Sequence, residues 1–167
     1  MTFTKLRPMN VRILENAKIL AGSDLDIVEG YLKLRDGVIE EIAKGRPKKS
    51  GIDMKGDFII PPFVNGHTHV GDSVRTDLYQ GRTQAEVVGE GGVKFDVLEE
   101  STEEEKIGAI RDSLRLMRDS GVLAHCDFRE RGISGCRLID KSSDESVTSV
   151  ILSRPSGEDE TGDLLSY

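Results

Sequence analysis

The sequence has 167 residues, 37% of them hydrophobic, with no run of about 18 apolar residues that would predict a membrane span. Its net charge of −7 provides no basic surface for phosphates, so neither nucleic acid nor anionic lipid is expected as a partner. Cys126 and Cys136 form no Cys-x-x-Cys motif, and the first residues contain no apolar signal segment. These observations favour a cytoplasmic globular protein that acts on a small-molecule substrate.

The first part of the chain, from Val11 to Ile60, has the alternating apolar pattern of β-strands. Turn residues follow the first apolar run, and Asp36-Gly37 stands between the second and the third. An Asp-Gly pair between two apolar runs is the strongest short signal for a hairpin. The pattern predicts a small antiparallel sheet as a first domain, residues 1–60.

The second part, residues 61–167, alternates strands with helices. Behind Ser101 and Thr102, apolar residues recur every three or four positions until Gly121, which predicts a capped amphipathic helix. The segment GISGCRLIDKSSDE predicts a second, weaker helix. Three short apolar runs predict strands at Phe63–His69, Val122–Asp127 and Val147–Leu152. Strands and helices in this order predict parallel βαβ units.

A long connection, from Gly71 to Glu100, separates the first of these strands from its helix. Its GEGG tract and its lack of a clear periodicity predict a segment without regular structure. Such connections are usually active-site loops or disordered segments, and this one follows the carboxyl end of a strand, where α/β barrels have their active sites. The acidic tail GEDETGD is predicted to be a second, mobile loop.

His67 and His69 carry the strongest chemical signal. Residues two apart in a strand point to the same face, so both imidazoles can face one metal ion while Thr68 faces the other way. Neutral imidazole suits zinc, iron and similar divalent ions. An isolated His-x-His motif is more often a pair of surface or core histidines than a metal site. The surrounding sequence therefore has to distinguish these two interpretations. Asp72 follows the pair, where it either orients a histidine or closes an Asx turn.

The run FIIPPFVNGHTHVGDS, with a β-rich segment containing DGVIEEIA before it, resembles the amidohydrolase superfamily. The members it is most similar to are cytosine deaminase and the chlorohydrolase-like enzymes, and only their N-terminal part is matched. The resemblance implies an α/β fold, in which a β-sandwich portion (1–60) precedes the first three βα units of an incomplete TIM (β/α)8 barrel (61–167). Pro62 departs from the family pattern, in which many members have glycine, but it touches no ligand.

The resemblance also implies the chemistry. His67 and His69 would be two ligands of a divalent metal ion, zinc in preference to iron, in a deaminase-like mononuclear site. In such enzymes a metal-activated water attacks a carbon bound to nitrogen, in a substrate other than a peptide, and the nitrogen leaves as ammonia or an amine. The remaining ligands and the general acid or base come from later strands of the family fold.

Further polar residues stand at the predicted strand ends. Asp127, Arg129 and Glu130 follow the second strand and Arg154 the third, where substrate-binding residues are expected in barrels. The alternative for the first three is a local salt-bridge cluster. His125, in the second strand, is either a further metal ligand or a histidine packed against a neighbouring element.

A complete barrel of this type needs about 250 residues, or about 200 at the lower end. The sequence after Phe63 has room for three of its eight strands. Activity of this chain alone is therefore not expected, and a homo-oligomer or a complementing chain would have to supply the rest of the barrel. The alternatives are a non-catalytic truncated fragment, one half of a two-chain enzyme, or a small β-rich binding domain.

Overall fold

The structure, a computed structural model, describes residues 10–143 and 145–155. The chain divides into two compact units, Met1–Pro61 and Pro62–Tyr167. Strands alone form the described part of the first unit, and strands alternate with helices in the second, so the predicted α/β class is confirmed. The GEDETGD tail lies outside the described residues. Across those residues, every helix is too short or too polar to span a membrane.

One five-stranded sheet makes up the described part of the first unit. Its strands are β1 (Val11–Ala21), β2 (Asp26–Arg35), β3 (Val38–Lys44), β4 (Ile52–Asp53) and β5 (Phe58–Ile59). The pairs β1–β2 and β2–β3 are antiparallel, as the alternation predicts. The pairs β1–β4 and β1–β5 are parallel and were not predicted, because two-residue strands are too short to show an alternating pattern.

The turn between β2 and β3 is the predicted Asp-Gly hairpin. Arg35 pairs with Val38 across it, and the two loop residues have positive φ angles, 50° for Asp36 and 86° for Gly37. This left-handed pair matches the twist of the flanking strands, and asparagine, aspartate and glycine adopt it most readily. The sheet buries Ala17, Ile19 and Leu32 on one face as the core of this unit.

The second unit is built on a three-stranded parallel sheet, as predicted, within the described residues. Its strands, in spatial order, are β6 (Phe63–Thr68), β7 (Val122–Arg129) and β8 (Thr148–Ser153). The sheet pairs β6 with β7 and β7 with β8. Two of the helices described below connect successive strands, so each connection is a βαβ unit.

The two connecting helices are α3 (Glu103–Asp119) and α4 (Gly132–Ser142). The helix α3 begins at the predicted cap. The Thr102 side chain accepts a hydrogen bond from the backbone of Glu105, whose carboxylate accepts one from the backbone of Thr102. This reciprocal capping satisfies two otherwise unpaired N–H groups. The helices bury one apolar cluster against the sheet, formed by Val70, Ile110, Leu114, Ile139 and Val147.

The prediction that the connection from Gly71 to Glu100 lacks regular structure is wrong. It contains two 3-10 helices (Val70–Asp72 and Thr76–Tyr79) and the helices α1 (Gln84–Val88) and α2 (Val93–Glu100). Two local causes explain the helices. Thr83 and Glu86 form a capping box for α1, and Val97 and Leu98 of α2 are buried in a small cluster with Val74. The GEGG tract lies between α1 and α2. It interrupts the apolar pattern, so neither short helix was predicted.

Candidate metal centre

The two histidines of the His-x-His motif face each other at the end of β6. His67 lies in the strand and His69 just after it, and both side chains are exposed. Their Nε2 atoms are 3.2 Å apart. Thr68 between them is 8% exposed and faces the opposite side of the sheet. The two imidazoles therefore lie on one face and Thr68 on the other, as the alternation of side chains along a strand predicted.

The imidazole pair rests against an aromatic ring of the neighbouring strand. Phe128 of β7 stacks on His67, with ring centroids 4.1 Å apart and planes inclined by 22°, and its centroid is 6.0 Å from that of His69. The Asn65 side chain also accepts a hydrogen bond from the backbone N–H of His67. Phe128 was not predicted to be part of the site. The period of two in β7 would have placed it on the face opposite to Asp127.

On the other face of the sheet, the Thr68 hydroxyl joins β6 to β7. Its oxygen lies 3.0 Å from the Cys126 carbonyl oxygen, 3.2 Å from Asp127 Oδ1 and 2.8 Å from His125 Nδ1. Since the first two partners only accept, the hydroxyl donates towards them and accepts from the imidazole. The Nε2 atom of His125 then accepts from the Ser149 hydroxyl, 2.7 Å away.

These bonds decide between the two roles considered for His125. The residue is 1% exposed, and both ring nitrogens are hydrogen-bonded to side chains on the face opposite to His67 and His69. Burial lowers the pKa of His125, and the Asp127 carboxylate opposes that shift only in part. His125 is thus a neutral packed histidine between β6 and β8, and its nitrogens are not free to bind the same metal ion as the exposed pair.

The lowered pKa of His125 predicts a pH-dependent stability. The unfolded state, whose histidine titrates at about pH 6.5, binds more protons than the folded state just below that pH, so stability is lost as the pH falls through this window. In a chelator-containing buffer, we expect a lower urea midpoint at about pH 5.5 than at about pH 7.5. His125→Gln should weaken this dependence and His67→Gln should preserve it. An equal dependence in the wild type and the His125 variant would contradict the assignment.

The polar residues predicted at the end of β7 form an ionic cluster. Asp127 has no exposed surface, and its Oδ2 atom is 3.2 Å from Nη1 of Arg129. Lys94, from α2, lies 3.0 Å from Asp72 Oδ2 and 3.2 Å from Glu130 Oε1. Burial lowers the pKa of Lys94, but the two carboxylates outweigh burial and the net shift is upward. The cluster therefore joins α2 to the carboxyl ends of β6 and β7.

The predicted substrate-binding residues differ in what they present to solvent. Asp127 and Arg129 are buried, which agrees with the alternative of a salt-bridge cluster. Glu130 is half-buried and Arg154 is exposed. The backbone N–H of Arg154 donates to the Arg129 carbonyl, so these two residues lie side by side. Substrate binding by the four residues stays a prediction.

Among the described residues, the ion-pair partners of the Asp72 carboxylate are two cations. Its carboxylate is engaged by Lys94 and lies 3.7 Å from Nη2 of Arg129. Lys94 was not predicted, because a lone lysine in a connection predicted to be irregular carries no distinguishing signal.

The histidine pair by itself fits a divalent metal ion. A separation of 3.2 Å matches two nitrogens that each lie about 2.0–2.1 Å from one ion at a near-tetrahedral angle. Imidazole is also a common ligand of such ions. Within residues 10–143 and 145–155, no cluster of three or more His, Cys, Asp or Glu side chains is placed to bind a metal. The described residues thus offer two candidate ligands, His67 and His69.

No family model matches the chain. Among curated proteins, one from Methanothermobacter thermautotrophicus that is named as an aminohydrolase is 35% identical over 149 residues. The match covers 87% of this chain and 39% of that protein. The chain therefore spans about two fifths of the length of this relative.

Solved structures share the fold. The 5-methylcytosine deaminase of Klebsiella pneumoniae, crystallised with phosphonocytosine, superposes with a TM-score of 0.62 at 19% identity, over 83% of this chain and 35% of the deaminase. An uncharacterised metal-dependent hydrolase of Pyrococcus horikoshii superposes with a TM-score of 0.59 at 12% identity, over 86% and 48% of the two chains. At these identities the similarity establishes the fold only.

Proposed function

We propose that this chain, which corresponds to the amino-terminal part of amidohydrolase-superfamily proteins, contributes two metal ligands to a hydrolase that cleaves carbon–nitrogen bonds. The resemblance predicted from the sequence is confirmed by the aminohydrolase relative and by the fold of the solved structures. The reaction itself is our inference. It is supported by the name of the relative, which specifies hydrolysis at nitrogen, and by the deaminase among the structural neighbours.

The single observation that carries the proposal is the convergence of His67 Nε2 and His69 Nε2 to 3.2 Å. In the absence of a metal ion, two neutral imidazoles at this distance share one N–H···N hydrogen bond. Joint binding of one cation also accounts for this distance, because each nitrogen then directs its lone pair at the ion. Zinc is our first choice and iron the second, and the resemblance of the sequence to deaminase-type members favours a mononuclear site.

The described residues prepare the site in three ways. Phe128 covers one face of the His67 ring and so limits its rotation. Asn65 holds the backbone N–H of His67, and the buried Thr68 keeps the two imidazoles on the exposed side of the sheet. A divalent ion bound there would supply Lewis acidity and a water of lowered pKa. We infer a small cyclic or amide-containing substrate, reached from the exposed side.

We further propose that the three parallel strands are part of a (β/α)8 barrel, with a β-sandwich portion in residues 1–60 and barrel in residues 61–167. In β8, Ile151 packs against the helices, while Val150 and Leu152 are 49% and 45% exposed. Apolar side chains on that face would be covered by further strands of a barrel. The missing strands and ligands would come from a longer polypeptide, a second copy or a complementing chain. This chain alone is then inactive, and the complete enzyme is cytoplasmic.

Zinc binding by the purified 167-residue chain tests the proposal. We expect calorimetric titration to show one zinc ion per chain, with binding abolished in the His67→Ala/His69→Ala variant, because the two nitrogens are the only described ligands. The His125→Gln variant removes the third histidine of the sequence and should retain binding. Wild-type affinity in the double variant, or no binding by the wild-type chain, would contradict the metal site.

A further inference from the structure

The backbone that carries the histidine pair is only loosely tied to the sheet. The parallel pairing of β6 with β7 is interrupted between Asn65 and Thr68, so the ladder is irregular where His67 lies. The strand then ends at Thr68, and a 3-10 helix follows from Val70. Another interaction must therefore hold this segment if the imidazoles are to keep one orientation.

Asp127 provides that interaction from β7. Its Oδ1 atom accepts a hydrogen bond from the backbone N–H of Val70 at 2.8 Å, and the Thr68 hydroxyl lies 3.2 Å from the same atom. These two groups stand immediately before and after His69. One carboxylate oxygen thus holds both sides of a proposed ligand, on the face of the sheet opposite to the imidazoles.

The environment of Asp127 makes these bonds strong. The residue has no exposed surface, and Arg129 Nη1 lies 3.2 Å from its second oxygen. Hydrogen bonds to a charged acceptor are about twice as strong as those between neutral groups. A fully buried carboxylate also has no water with which to replace a lost partner, so its geometry is tightly constrained.

We propose that Asp127 is a positioning residue, which holds His67 and His69 in their metal-binding orientation through Thr68 and Val70. The inference rests on the proposed metal site. It assigns Asp127 a role different from the substrate contact predicted from the sequence, because the carboxylate reaches the histidines through the backbone and does not face the exposed side. Outer contacts of this kind typically change metal affinity by about 10-fold to 100-fold.

The test compares zinc affinity among folded variants of the full chain. We expect Asp127→Asn to bind zinc about 10-fold to 100-fold more weakly than the wild type. The control is Val97→Ala, which removes buried volume from the separate cluster of Val74 and Leu98 and should bind zinc like the wild type. Wild-type affinity in Asp127→Asn would overturn the proposal, because the residue would then contribute to folding only.

A second readout does not need the metal. In the zinc-free chain, the imidazole NMR signals of His67 report its stacking on Phe128, and we expect them to shift in Asp127→Asn and to stay unchanged in Val97→Ala. If the wild-type chain binds no zinc, the proposed function fails, and unchanged signals would separately overturn the positioning role. Should Asp127→Asn fail to fold, Thr68→Val removes one of the two links and should show the same changes to a smaller extent.

Discussion

Replacing Leu114 by alanine is expected to lower the free energy of unfolding by about 2–5 kcal/mol. Leu114 has no exposed surface and belongs to the cluster that joins α3 and α4 to the parallel sheet. The substitution removes buried methyl groups and leaves a cavity that close-packed neighbours cannot fill. Urea unfolding followed by the helical circular dichroism signal measures the effect, because the described helices all lie in the second unit.

Leu116 is the matched control for this substitution. It belongs to the same helix and is 69% exposed, so Leu116→Ala makes the same chemical change without creating a cavity. Its effect should stay within about 0.5 kcal/mol of zero. Similar losses in the two variants would contradict the placement of α3, since they would mean that both leucines are equally buried.

Replacing Gly135 by alanine is expected to destabilise the second unit by about 3 kcal/mol. This value is at the upper end of the typical destabilisation by substitutions that overpack a close-packed site. Gly135 lies in α4, where an added Cβ would overlap the Glu130 carbonyl oxygen and come within 3.0 Å of Arg129 Cγ. The carbonyl belongs to the backbone that follows β7, so relief requires a shift of the helix or of the strand end. The midpoint of urea unfolding should fall accordingly.

Gly108→Ala tests the same change where there is room. Gly108 lies in α3, and an added Cβ would meet nothing within 4 Å. Alanine is the better helix former, so this variant should be more stable than the wild type by about 0.5–1 kcal/mol. A loss of stability in Gly108→Ala, or a gain in Gly135→Ala, would show that the two glycines have been assigned the wrong surroundings.

Much of the fold could be predicted from short-range patterns. The hairpin at Asp36-Gly37 and the start of α3 at Thr102 depend on residues within four positions of each other, so the sequence contains their cause. The strand β7 continues two residues beyond its predicted end, to Arg129. Arg129 was predicted to follow the strand, but it is buried with Asp127 and pairs with Ser153 of β8.

The candidate site was predicted in part. The His-x-His motif places two imidazoles on one face through a local period of two, and the structure has them there. Neither the stacking of Phe128 on His67 nor the pairing of Lys94 with Asp72 follows from a local pattern. Each depends on how residues far apart in sequence are brought together.

The sequence by itself determined the strand and helix periods, the capped start of α3 and the common face of His67 and His69, because each depends on neighbouring residues. Tertiary structure decided what surrounds the pair. Whether Asp127 contacts a substrate or holds Val70 depends on the register of two strands whose contacting residues are 57 positions apart. The burial of Asp127 then determines which groups its carboxylate contacts, because a buried carboxylate needs both a cation and hydrogen-bond donors close by.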